Sequence, residues 1–172
     1  MKKKFGVFKE VQKFTQWWLW LILIGVAACS VFYIIKPYFI DESVEFSIGK
    51  IIASLIVVFG LILFFIVLRL TTIITSQNVL IHFYPFVKKK IDWDDIKSAK
   101  IIKYDFVGGW GIRFFTKYGT VYNIKGNIGL QLELINGEKY LIGTQQEVEL
   151  AICLKDLKDK VKSQFYELDA LS

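Results

Sequence analysis

The sequence predicts a membrane protein in which a two-helix transmembrane hairpin is followed by a mainly β domain with a C-terminal capping α-helix. Two uninterrupted apolar runs stand early in the 172-residue chain, short strand-like segments with turn residues follow them, and an amphipathic pattern comes last. These observations divide the chain into a basic N-terminal segment (1–16), the hairpin (17–68, with spans at 17–35 and 51–68 and a loop at 36–50) and a β domain (69–172) whose helix covers 145–163.

The two apolar runs have the length of transmembrane helices. The first covers roughly 28 Å at about 1.5 Å per residue, close to a hydrocarbon core of about 30 Å. The second lies between Lys50 and Arg69, whose long side chains can reach the two interfaces. Two buried helices of a soluble protein are the alternative, but the residues from 69 onward are too few to cover both. Because indole rings prefer the headgroup layer, the first run opens with three predicted interfacial anchors, Trp17, Trp18 and Trp20.

The distribution of charge predicts the orientation. Cations precede the first span and follow the second, whereas the loop 36–50 contains Asp41, Glu42 and Glu45. Lysine and arginine flanks resist translocation, so both termini are expected on the cytoplasmic side of the inner membrane. The net charge of +6 then follows from topology and from attraction to anionic membrane lipids. No basic cluster with stacking aromatic residues predicts a nucleic-acid partner. The cations that set this orientation are Lys2, Lys3, Lys4, Lys9 and Lys13, then Arg69, Lys88, Lys89 and Lys90.

The cysteines and the single histidine give little support to other chemistry. Residues 26–29, Val-Ala-Ala-Cys, resemble a lipoprotein processing site, yet the chain stays apolar after Cys29, which disfavours lipidation without excluding it. Cys29 in the membrane and Cys153 in the last helix are not placed for a disulfide. His82 lies in a strand-like run and is expected to be a solvent-facing or partly buried strand residue. We therefore predict no metal and no cofactor.

The β domain is predicted strand by strand from short β-rich runs with turn residues between them. Residues 92–96 indicate a helical turn, and Asn136-Gly137 supplies the positive φ angles of a tight hairpin. A sheet of about seven strands is the expected product. The candidate strands are 71–75, 79–84, 86–91, 98–104, 112–115, 121–124, 130–134 and 139–143.

The C-terminal pattern predicts a helix that covers this sheet. Thr144 and Glu147 have the spacing of a capping box, in which hydroxyl and carboxylate satisfy reciprocal backbone donors. Docking of a partner helix is the alternative, but covering its own sheet is the commoner use. The apolar stripe consists of Leu150, Leu154, Leu157 and Val161.

Residues 69–160 resemble a known protein family. The segments GGWGIR (108–113), YNIKGN (122–127), GLQLEL (129–134), Asn136-Gly137 and LIGTQ (141–145) are similar to a pattern in small bacterial pleckstrin-homology-like membrane proteins, which are largely uncharacterised. The resemblance implies a pleckstrin-homology-like barrel, and it implies binding or scaffolding more than catalysis. It implies no particular ligand.

Four residues form a candidate partner-binding site, namely Trp110 and Arg113 with Asn123 and Asn127. Glycines at 108, 109 and 111 allow unusual backbone conformations around Trp110. One hypothesis is a recognition loop in which Trp110 and Arg113 grip a partner and the asparagines add hydrogen bonds. The other is that Trp110 caps one end of the barrel, Arg113 pairs with an acid such as Asp105, and Asn127 simply turns the chain. The second is favoured, because a glycine-flanked tryptophan is often a packing device.

A lysine run provides a candidate lipid-surface site. Lys88, Lys89 and Lys90 can rest against anionic lipid, each contributing on the order of 1 kcal/mol. An edge strand protected from aggregation by lysines explains the run equally well. Specific inositol-phosphate binding is not expected, because the first hairpin loop, Ser76-Gln77-Asn78, lacks the cations that pleckstrin domains resembling this fold use there.

The sequence favours a non-enzymatic interaction module tethered to the membrane, with a protein or the lipid surface as partner. No activated nucleophile, carboxylate pair or phosphate loop stands out, and spans without an internal ionisable residue offer no transport path. The alternative is an accessory subunit of a transporter or envelope-biogenesis complex, contacting partners through its helices. Small residues at Ser30, Ser54 and Gly60 leave homo-oligomerisation open.

Overall fold

The computed structural model describes residues 8–40 and 48–169, without the side chains of residues 37, 38, 40 and 160–169. The chain divides into a helical unit, residues 14–68, and a β unit formed by the residues before 14 together with those after 68. Some charges behind the predicted orientation lie outside the described residues, namely Lys2, Lys3, Lys4, Asp41, Glu42 and Glu45.

The helical unit contains two long apolar helices, as predicted. Helix α1 spans Trp17–Ile40 and helix α2 spans Ile48–Val67. Each includes 20 residues long and apolar enough to cross a membrane, and α1 continues past the predicted end at residue 35. Helix α2 buries none of its residues within the protein. Its apolar side chains therefore need an apolar surrounding, which a bilayer provides.

The first sheet of the β unit, sheet A, has four antiparallel strands in the order β1-β2-β3-β4. Its first strand comes from the N-terminal segment 1–16, for which no strand was predicted. All six residues of β1 pair with β2, from Phe8 with Ile74 to Lys13 with Arg69. The strands are β1 Phe8–Lys13, β2 Arg69–Ile74, β3 Asn78–Tyr84 and β4 Val87–Asp92.

The second sheet, sheet B, has five strands in the order β5-β8-β9-β7-β6. Its pairs are antiparallel except β7 with β9, which run parallel. The helical turn predicted at 92–96 is present as a 3-10 turn, Trp93–Asp95. The strands are β5 Ile96–Lys103, β6 Gly111–Thr116, β7 Gly119–Asn123, β8 Ile128–Leu134 and β9 Lys139–Gly143.

The described residues form nine strands in two open sheets and not the closed barrel of about seven strands that the resemblance implies. The consecutive strands β4 and β5 belong to different sheets, with the 3-10 turn between them. A barrel closes only when its edge strands pair with each other. The hairpin between β8 and β9 is confirmed: Gly137 has φ +87°, and the Leu134 amide donates to the Glu138 carbonyl at 2.8 Å.

The core of the β unit draws on both sheets and on helix α3, Glu147–Asp169. Fully buried side chains include Leu70 and Ile81 from sheet A and Leu132 from sheet B. Of the predicted stripe on α3, Leu150 is buried, whereas Leu154 and Leu157 are only partly buried. Val161 of that stripe lies outside the described side chains.

A set of hydrogen bonds fastens β1 to the start of α3, and we call it the β1 clasp. The Glu10 carboxylate accepts the Thr144 hydroxyl at 2.6 Å and the Gln145 amide at 2.8 Å. The Gln12 side chain donates to the Gly143 carbonyl at 2.6 Å and accepts from the Gln145 side chain at 3.3 Å. Glu10 is only 4% exposed, so its carboxylate relies on these protein donors in place of water.

The clasp corrects the predicted capping box. The Thr144 hydroxyl accepts a hydrogen bond from the Gln146 amide at 3.0 Å and donates one to the Glu10 carboxylate, 134 positions away. The Thr144 amide, which the capping box would pair with Glu147, donates to the Ile128 carbonyl at 2.9 Å. The Ile128 carbonyl thus takes the place of the Glu147 carboxylate at the Thr144 amide, and the Glu10 carboxylate accepts the next amide, that of Gln145.

We predict that Glu10→Ala lowers the free energy of unfolding of the β unit by about 1–3 kcal/mol, because it leaves the buried Thr144 hydroxyl and the partly buried Gln145 amide without their acceptor. Lys9→Ala, the exposed neighbour on the same strand, should change it by no more than about 0.5 kcal/mol. Denaturant unfolding of the detergent-solubilised full chain, with hydrogen exchange at the β1 amides, measures both. Equal effects of the two substitutions would contradict the clasp.

Candidate functional site

An open groove of about 530 Å³ lies at one end of sheet B. Its walls are the loop between β5 and β6 (residues 104–110, the β5–β6 loop) and the turn between β7 and β8. Three of the four residues predicted for partner binding line it, namely Trp110, Asn123 and Asn127. The turn is anchored to the loop by the Tyr104 amide, which donates to the Asn127 carbonyl at 2.8 Å.

Glycines shape the loop around Trp110, as the sequence predicted. Gly108, Gly109 and Gly111 have φ angles of +84°, +122° and +106°, a region that side chains with a Cβ rarely adopt. The resulting path leaves Trp110 41% exposed on the groove wall. The hypothesis that Trp110 caps the end of a closed barrel does not apply, since the sheets are open.

The floor of the groove is a hydrogen-bonded polar pair. The Asn123 side chain donates to the Tyr104 hydroxyl at 3.3 Å, and that hydroxyl donates to the Gly126 carbonyl at 3.2 Å. Burial raises the pKa of Tyr104, and the hydrogen bond from Asn123 partly offsets this. A Cβ at Gly143 would lie 3.1 Å from that of Asn123, so the strand beneath is in close contact. The bond between Asn123 and Tyr104, the bond from Tyr104 to Gly126 and the close approach of Gly143 together fix the floor in place.

Arg113 does not line the groove. Its guanidinium donates to the Ile112 carbonyl at 3.3 Å, and a Cβ at Gly109 would come within 2.8 Å of its Nη2 atom. The side chain thus supports the β5–β6 loop from behind. The expected pairing of Arg113 with Asp105 is wrong, because Asp105 pairs with Lys117. The hydrogen bond from Lys117 lowers the pKa of Asp105 and raises that of Lys117.

Sequence reasoning missed the most exposed aromatic residue of the groove. Phe106 lines it and is 85% exposed. An isolated phenylalanine between Asp105 and Val107 carries no periodic signal. Exposed lysines lie nearby, Lys103 at the end of β5 and Lys125 in the β7–β8 turn. The groove rim therefore combines apolar rings with cations.

The three lysines of the predicted lipid surface lie on two different faces of β4. Strand alternation turns Lys88 and Lys90 to one face of β4 and Lys89 to the other. Lys90 pairs with Asp92 at 2.9 Å. Lys89 donates to the Tyr140 hydroxyl and lies 3.5 Å from Glu138, so it joins sheet A to sheet B. Burial alone would lower the pKa of Lys89, but the interactions with Tyr140 and Glu138 raise it.

The other predicted residues occupy peripheral positions. The interfacial anchors lie in the first turn of α1, where Trp17 is exposed and Trp18 and Trp20 are partly exposed. His82 stacks edge-on against Tyr84, with ring centroids 5.8 Å apart. Among the described residues, no group of three or more His, Cys, Asp or Glu side chains is placed to hold a metal ion.

No protein-family model matches the chain, and no curated protein matches it.

We predict that Tyr104→Phe destabilises the β unit by about 1–3 kcal/mol, since it removes the partner of the buried Asn123 amide and of the Gly126 carbonyl. Tyr118→Phe is the matched control, because the Tyr118 hydroxyl bonds exposed groups of Asp105 that water can satisfy. The difference is measurable by thermal unfolding of the full chain in detergent. A larger loss for Tyr118→Phe would contradict the proposed role of the groove floor.

Proposed function

We propose that the chain is a two-pass inner-membrane protein with its β unit on the cytoplasmic side. The pairing of β1 with β2 supports this topology. The two strands flank the helix pair in sequence, and their six-residue ladder requires both to lie on the same side of a membrane. Two spans, an even number, meet this requirement. The lysines that flank the helices favour the cytoplasm as that side.

We further propose that the β unit is a non-enzymatic interaction module working at the membrane surface. The observation that carries this is the groove, in which a fixed polar floor lies beside exposed aromatic rings. A cleft with convergent polar groups and apolar walls is the usual form of a binding site. Two sheets with a C-terminal helix are also compatible with a pleckstrin-homology-like module, which remains part of the proposal.

A photoreactive amino acid at Phe106 tests the proposed module in native membranes. We expect ultraviolet light to give specific adducts, with lipid or with protein, because this side chain projects at the groove rim. The control places the same group at Ile135, which is exposed in the β8–β9 turn, and should give few adducts. Adducts at neither position, with both variants folded and membrane-inserted, would argue against an interaction role for the groove.

A further inference from the structure

The groove lies at the end of the β unit from which the chain leaves for both helices. Gln12 bonds the Gly143 carbonyl at 2.6 Å, and Gly143 contacts Asn123 of the groove floor. The next residue of β1, Lys13, pairs with Arg69 at the start of β2. Groove, clasp and both chain exits are thus neighbours within one unit.

The connections from these exits are short. Residues 14–16 join β1 to α1, and Leu68 alone joins α2 to β2. Three extended residues reach at most about 10 Å. If the helices cross a bilayer, these connections tie Lys13 and Arg69 to its surface, where the headgroup layer is about 5–8 Å deep on each side of the core.

The side chains at this end have the chemistry of a headgroup contact. Phe106 is 85% exposed and Trp110 shares its groove, and aromatic rings are enriched at the depth of lipid headgroups. Asp105, the acidic residue between them and β5, already pairs with Lys117. Four exposed cations remain around the exits and the groove, namely Lys13, Arg69, Lys103 and Lys125.

We propose that the β5–β6 loop seats Phe106 and Trp110 among anionic phospholipid headgroups of the membrane that the helices cross, with Lys103 and Lys125 against the phosphates. This inference rests on the proposed membrane-surface function and names its partner as lipid. Basic side chains near a bilayer are attracted by its negative surface potential within about a Debye length. The short connections tie both chain exits to the membrane-spanning helices, which favours lipid over a soluble protein as the partner.

Spin-label accessibility in nanodiscs tests this contact on the full chain. A nitroxide is attached at Phe106→Cys in a Cys29→Ala, Cys153→Ala background, with Ile135→Cys as the matched exposed control. Nanodiscs contain phosphatidylcholine alone or with phosphatidylglycerol. Collision rates with oxygen, which partitions into lipid, and with a water-soluble nickel chelate report the surroundings of each label.

We expect the oxygen-to-nickel ratio at 106 to be several-fold higher than at 135 in phosphatidylglycerol nanodiscs, and to fall when Lys103→Gln and Lys125→Gln are added. Water-like ratios at both positions would overturn the lipid contact. A label at 106 shielded from both probes would also overturn it, by indicating a second copy of the chain as the occupant. If photocrosslinking at 106 in native membranes gives protein adducts while the spin label at 106 in nanodiscs shows a water-like ratio, only the lipid partner is refuted. If photocrosslinking gives no adducts at all, the interaction module itself is refuted.

Discussion

The carboxylate of Glu10 joins the first strand of the chain to the junction between its last strand and its last helix. This buried group has two protein donors, and losing them would leave a charge in the core without compensation. Gln12 of sheet A bonds Gly143 at the end of β9 in sheet B, and Glu10 bonds the two residues that follow β9. These side-chain bonds therefore hold the two open sheets together at this end. A second set of contacts joins the same sheets at another place, where Lys89 of β4 bonds the Tyr140 hydroxyl and lies near Glu138.

The groove depends on the same junction. Gly143, which accepts the bond from Gln12, lies directly against Asn123, and Asn123 bonds Tyr104. Strand β1, which pairs with β2 although the two helices separate them in sequence, therefore also supports the floor of the candidate site. In the proposed topology, the two helices return the chain to the side of the membrane on which β1 lies, so that β2 can pair with it. Leu150, near the start of α3, is buried in the core of the same unit.

The elements predicted correctly are those with local causes. The apolar runs follow from bilayer thickness, the β8–β9 turn from Asn136-Gly137, and the unusual backbone conformations around Trp110 from its glycines. Strand β1 was missed because its inward positions include Glu10 and Gln12, so FKEVQK lacks the apolar alternation that indicates a strand. The division of the strands into two open sheets could not be predicted for a related reason, since it depends on long-range pairings that no local pattern encodes. Two features of the site could be seen only in the folded structure. One is the position of Phe106 on the groove, and the other is that Lys89 faces away from Lys88 and Lys90.

The central claim is that β1 and β2 are paired on one side of the membrane, and cross-strand oxidation tests it most directly. Val11 and Thr71 are register partners, and directly opposed Cβ atoms in such a pair lie about 4.5–5.5 Å apart. Val11→Cys with Thr71→Cys, in the full chain lacking Cys29, should oxidise rapidly to a disulfide in native membranes, whereas Val11→Cys with Ile73→Cys, two residues out of register, should react far more slowly. Equal rates for the two pairs, or no disulfide in either, would contradict the β1–β2 ladder and the same-side topology inferred from it.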